Sequence, residues 1–356
     1  MSAQNIWDRL AAERLVEGER PEPGPAQSPW YVRVMLGIAG WIGALFLLGF
    51  VGSAFFFVIE EARAALVAGT MCCSGAFALY RALRGRDFAD QFALALSLAG
   101  QVLLAVGLAD ILAPSGPPFY FAIAAIQAVL ALAIPNFLHR VLTAAGAAAA
   151  LALAVAQLSL HGLAAPLLCA GLAWVWLEPG RWARSGGLWR PIGYGLVLAL
   201  LLVETFRLFG AAQWFGLGGQ APGWMQLHGP LIGRGLTAAL LVAVAVMLSL
   251  REGQSSTNRV TLAVAGGALL LGLFSLGAPG LASALLILLL GFSAGNRLLM
   301  ALGVLGLLAF ASHFYYSLHS TLLAKSGLLA ATGLCLLAAH VIIRRLPGQA
   351  REPGHA

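Results

Sequence analysis

The chain has 356 residues, 60% of them hydrophobic and only 10% charged, with a formal net charge of +7. A water-soluble chain of this length has too little interior to hide that much apolar surface, so an ordinary soluble fold is excluded. The positive balance does not mark a nucleic-acid binder, because the arginines sit in short segments between apolar runs and form no contiguous basic face.

Residues 1–30 are polar. Trp7, Leu10, Ala11, Arg14 and Leu15 follow helical spacing and predict a short amphipathic helix, which the run Pro21–Pro25 then ends as a linker. The first apolar run starts too late and runs too long for a secretory signal. From residue 31 to 345 the chain reads as one transmembrane helical domain, followed by a disordered tail at 346–356. A spanning helix needs about 20 apolar residues. Candidate spans fall near 34–59, 62–80, 88–109, 118–134, 141–159, 162–177, 191–208, 230–250, 259–275, 281–295, 298–315 and 320–343. The expected fold is therefore all-α, a polytopic bundle of about twelve spanning helices (ten to twelve). The stretch 276–300 is the least certain, because Gly277–Gly280 and Gly295–Arg297 leave a short span between them.

Charge sets the expected orientation. With both termini cytoplasmic, every alternate loop is basic, and all of the 21 cations fall on the cytoplasmic side except Arg63, Arg207, Arg234 and Lys325. Trp174, Trp176, Trp182 and Trp189 then flank one cytoplasmic loop, while Trp214 and Trp224 lie in the longest external one, about 209–229. That segment is too apolar to float free and is expected to lie on the membrane surface or dip into the bundle.

Glycines at 37, 40, 43, 49 and 52 and the alanine-rich stretch Ala144–Ala156 are packing signals, the latter predicting a central helix. Cys72, Cys73, Cys169 and Cys335 lie within apolar runs and read as small buried hydrophobes. No metal-ligand spacing and no phosphate-binding glycine loop ending in Lys-Ser/Thr is present, and no cofactor is implied.

The stretch from Trp30 to Phe50, WYVRVMLGIAGWIGALFLLGF, is similar to the start of a bacterial family known as domain of unknown function 4401. The stretch Phe314–Ser326, FYYSLHSTLLAKS, resembles that family's ending. The resemblance covers the chain from about Trp30 to Arg345. It implies a multi-pass protein of the bacterial inner membrane. It also implies work alongside a second uncharacterised multi-span family and a protein carrying a G-D-Y-x-x-L-x-Y motif. The family brings no activity and no catalytic residues to carry over.

The polar groups at membrane depth then bear the functional question. Lys325 is the only lysine, about five residues into the last predicted helix. A charge in hydrocarbon costs at least ~2.5–3.5 kcal/mol, so it reaches headgroups, finds a partner or lines a wet cavity. Glu60, Glu61 and Arg63 read as interfacial, and Asp110 as a solvated helix end. Glu204 and Arg207 are three residues apart, on one helix face, where they neutralise one another. Arg234 and Lys325 are long enough to snorkel, and an aromatic belt accounts for His313, Tyr315, Tyr316 and His319.

Taken together, the same groups define a sharper expectation. If the helices carrying them are neighbours, Glu204, Arg207, Arg234 and Lys325 converge in a net-positive external pocket for an anion, with Tyr315, Tyr316 and His313 near its mouth. Three functions fit: binding or transport of a small anionic or lipid-phosphate ligand, a structural or regulatory subunit of a membrane complex, and an enzyme on a lipid-linked substrate. A single external loop with one histidine, His228, argues against the enzyme.

Overall fold

The computed structural model describes residues 61–83, 87–114, 116–209, 223–253 and 258–317, with isolated positions at 12–13, between 31 and 49, and at 255 and 337. Among them every regular element is a helix. These are α1 (Ala62–Ala82), α2 (Asp87–Leu112), α3 (Pro117–Ala133), α4 (Phe137–Gln157), α5 (Ala164–Trp176), α6 (Pro179–Leu208), α7 (Trp224–Arg251), α8 (Arg259–Ser275), α9 (Leu281–Ser293) and α10 (Arg297–Ser317). Apart from those isolated positions, the predicted first and last spans lie outside the described residues, as do the loop at 210–222, Cys335 and Lys325.

The chain divides into two compact units, Met1–Gly107 and Leu108–Ala356. In the first, α1 and α2 pack antiparallel through glycines. A methyl group at Gly69 would meet the Gly100 carbonyl at 2.8 Å, and one at Gly107 would meet the Ala62 carbonyl at 2.8 Å. The backbones touch, which is how apolar helices associate where lipid is as apolar as the helix. Cys73 is buried in this seam and donates weakly to the Ser97 carbonyl at 3.7 Å, whereas Cys72 is only partly buried.

In the second unit the core gathers Ala148 and Ala152 of α4 with most of α5 and with Val197 and Leu200 of α6. Leu241 and Val244 of α7, Leu286, Ile287 and Leu290 of α9, and Leu299 of α10 complete it. The two most interior helices are the shortest, α5 and α9, with 13 residues each. The alanine-rich α4 is the most buried of the six long apolar helices, yet it lies outside this pair. Outward faces are apolar: Leu198, Leu202, Leu231, Leu236, Leu269, Leu270, Leu305 and Leu308 are all exposed. In water such faces would be aggregation sites; against lipid tails they need no cover.

Among the described residues six helices are long and apolar enough to cross a membrane, and four apolar helices are shorter. A helix of 13 residues reaches only about 20 Å at ~1.5 Å per residue, short of the ~30 Å hydrocarbon core. The sequence reading placed ten spans in these same ten places, and hydropathy alone did not separate the long helices from the short interior ones.

The Trp-rich segment after α5, expected as a loop, is helical. Pro179 opens α6 at a position where its missing N–H costs nothing, and the run bends at Ser185, whose φ of −149° is not helical. Pro191 lies inside the continuing helix and cannot bond the Gly187 carbonyl. Arg140 at the start of α4 supplies the donor instead, with Nη1 at 2.9 Å from Gly187 O and Nε at 3.0 Å from Ala131 O at the end of α3. One guanidinium thus ties three helices. Pro166, expected within a span, falls in the first turn of α5, where no helical bond is lost.

Candidate functional site

Glu204 and Arg207 occupy the last two turns of α6. Glu204 is 3% exposed and forms an ion pair with Arg207, Nη1 to Oε2 at 3.3 Å. Its other oxygen, Oε1, accepts from Ser283 Oγ of α9 at 2.7 Å. Behind Ser283 lies Cys169 of α5, fully buried, with its thiol 3.9 Å from the serine oxygen. A buried carboxylate is tolerable only when both oxygens are engaged, and here they are, by donors from two helices.

Arg234 of α7 joins the same cluster. Its Nη1 donates to the Leu276 carbonyl at 2.9 Å. Leu276 caps the C-terminus of α8, where unsatisfied carbonyls and the helix dipole favour a cation. Arg234 Nε is buried with no hydrogen-bond partner among the described residues. The pocket that Glu204, Arg207 and Arg234 share is completed by Thr237, Ser275, Gly280 and Ser283. Thr237 and Ser275 each satisfy a carbonyl of their own helix, Gly233 O at 2.9 Å and Gly272 O at 2.6 Å. Gly280, at φ +86°, begins α9 in a left-handed turn pressed against the Phe310 ring, where a methyl group would meet carbon at 2.7 Å. Only glycine combines that conformation with that contact, and the turn sets Ser283 facing Glu204.

The free space within the cluster is about 10 Å³. That is near the lower limit for one water molecule. In this conformation two guanidinium groups and one carboxylate line a space with no room for an anion larger than water.

The structure brings Glu204, Arg207 and Arg234 together and leaves the aromatic residues at the edge. His313 of α10 packs edge-on against Phe209, which caps α6, with centroids 5.7 Å apart. Tyr315 and Tyr316 meet edge to face with centroids 5.5 Å apart, and Tyr316 is 79% exposed. Neither tyrosine lines the pocket. Arg63, Glu61 and Asp110 are exposed. Sequence reasoning missed Ser283, Thr237, Ser275 and the Leu276 carbonyl. The available signal was that hydroxyl side chains hydrogen-bond across apolar helix interfaces. It does not say which serine meets which acid.

Helices of this length and hydropathy, apolar outside with charge gathered within, are those of a helical membrane protein. The chain belongs to the family described as Domain of unknown function (DUF4401), whose family model matches residues 29–346. No curated protein and no solved structure matches it.

Proposed function

We propose that the chain is a bacterial inner-membrane protein of ten to twelve crossings with both termini cytoplasmic. It binds or transports a small anionic or lipid-phosphate ligand at Arg207 and Arg234, from the external side. The observation that carries this reading is the charge of the cluster. Two guanidinium groups and one carboxylate line the same space, and only Arg207 pairs with that carboxylate, so among the described residues Arg234 has no counter-ion; in hydrocarbon an unpaired charge costs at least ~2.5–3.5 kcal/mol. An anion relieves that cost, and guanidinium presents planar two-point recognition to carboxylate or phosphate. Entry requires the Arg207 or Arg234 side chain to swing aside, since the closed space is about 10 Å³.

A second reading rests on that same small space. Arg207, Ser283 and Arg234 then form a lock joining α6, α7, α8 and α9, and the protein is a structural or regulatory subunit with no ligand of its own. Its partners are other membrane proteins. Catalysis stands last, because both oxygens of Glu204, the one buried acid here, are already taken.

The test is anion binding by the full chain in phosphatidylcholine nanodiscs, with inorganic phosphate and short-chain phosphatidic acid as probes. The expected result is saturable binding to one of them, weakened at least tenfold, about 1.4 kcal/mol, in Arg234→Gln. Absent binding, or equal affinity in the variant, overturns the ligand reading and leaves the lock.

A further inference from the structure

A much larger opening lies at the other end of the same helices. Between the end of α5, the first half of α6, the end of α7 and the α9–α10 turn is a cleft of about 910 Å³. Small-molecule pockets are typically ~300–1,000 Å³. Its wall carries Arg190 of α6, Arg251 at the end of α7 and Arg297 at the start of α10, against one carboxylate, Glu252. None of the three guanidinium groups pairs with a carboxylate among the described residues.

These cations are placed by the fold. Arg251 donates to the Leu177 carbonyl that caps α5. Arg190 lies over the Trp182 ring, 5.7 Å from its centroid. Trp182 is itself fixed, donating its indole N–H to Val175 O at 3.0 Å and packing at a 44° tilt against Trp176 with centroids 4.3 Å apart. Trp176 also lines the cleft, and its indole N–H is buried with no partner among the described residues. Asn296 caps α10 by accepting from Leu298 N and Leu299 N, both at 3.1 Å, so the positive end of a 21-residue helix meets the cleft as well.

We propose that this cleft binds a phosphate-bearing anion, its phosphate held by Arg190, Arg251 and Arg297 and its remaining part lying against the Trp176–Trp182 wall. Arginines that only obey the positive-inside pattern are scattered over separate loops and paired with headgroups at random. Here three, from three helices, face one concave space beside two packed indoles. Guanidinium forks match phosphate oxygens, and an indole face suits an apolar chain or a ring. The site is distinct from the Glu204 cluster, since it uses the opposite ends of α6, α7 and α9. The phosphate is that of an anionic lipid or of a soluble compound, and the two sources are separable.

The experiment uses the full chain in nanodiscs, read by tryptophan emission and by native mass spectrometry. Inorganic pyrophosphate is titrated in pure phosphatidylcholine discs, and lipid retention is measured in discs containing phosphatidylglycerol. A saturable emission change with pyrophosphate assigns a soluble ligand, and retained phosphatidylglycerol without that change assigns a lipid. In either case the double variant R190Q/R297Q is expected to lose at least tenfold, while R234Q does not. Both replaced side chains are exposed, so the variant is expected to elute as wild type, and R190K/R297K is expected to recover part of the loss. No response from either probe, or a response unchanged in R190Q/R297Q, overturns the proposal. Loss in R234Q alone moves the binding to the Glu204 cluster.

Discussion

Glu204 is the residue on which the buried charge of the second unit turns. Replacing it with alanine leaves Arg207 without its anion and Ser283 without its acceptor, and breaking a buried pair from one side costs about 3–5 kcal/mol. Ser283→Ala removes one hydrogen bond to a charged acceptor, about 1.5–3 kcal/mol. Thermal unfolding in detergent is therefore expected to rank wild type above Ser283→Ala above Glu204→Ala. A Ser283→Ala variant as stable as wild type would mean that the contact between α6 and α9 is not held by this bond. The pairing of Glu204 with Arg207 was legible beforehand, because i,i+3 spacing places both on one face whatever the tertiary structure. The approach of Arg234 was legible only as a conditional, since nothing in a helix's own sequence says which helix lies beside it.

At the scale of elements, small residues decide where helices meet. A methyl group at Gly303 of α10 would strike the backbone N of Leu288 in α9 at 2.7 Å, and one at Gly291 of α9 would strike the backbone N of Met300 at 2.7 Å. Gly267 of α8 has nothing within 4 Å of such a methyl group. Gly303→Leu is therefore expected to separate α9 from α10, at a cost above the ~1–3 kcal/mol usual for overpacking, because backbone cannot move aside as a side chain can. Gly267→Leu is expected to leave stability unchanged. Size-exclusion monodispersity and Tm check the pair; similar behaviour of both variants would contradict the α9–α10 seam. Both glycines sit in apolar runs of similar composition, so the sequence does not distinguish them. It did signal close packing at Gly40, where a methyl group would meet the Phe88 carbonyl at 3.0 Å, but it did not single out Gly69 and Gly100 of the α1–α2 seam.

For the molecule as a whole, the charge pattern makes a directional prediction about α7. With the arginine-rich ends cytoplasmic, Gly223→Cys at the start of α7 is expected to react with an impermeant maleimide in intact cells. Glu252→Cys at its end is expected to react only after permeabilisation, both in a cysteine-free background. The reverse pattern would invert the topology, and labelling of both from outside would deny that α7 crosses.

The sequence by itself determined the class, the family and the ten helical stretches from α1 to α10, because a run of apolar residues without backbone partners in lipid has little choice but to be helical. The family match at 29–346 agrees with the resemblance seen from Trp30 to Arg345. Only the tertiary structure decided that α5 and α9 are short interior helices, that Ser283 meets Glu204, and that Arg190, Arg251 and Arg297 share one cleft. The reason is physical. In a soluble protein an apolar stripe marks the inward face, whereas in a membrane the lipid-facing and protein-facing sides are equally apolar. Hydropathy then finds the helices without telling which way any of them faces.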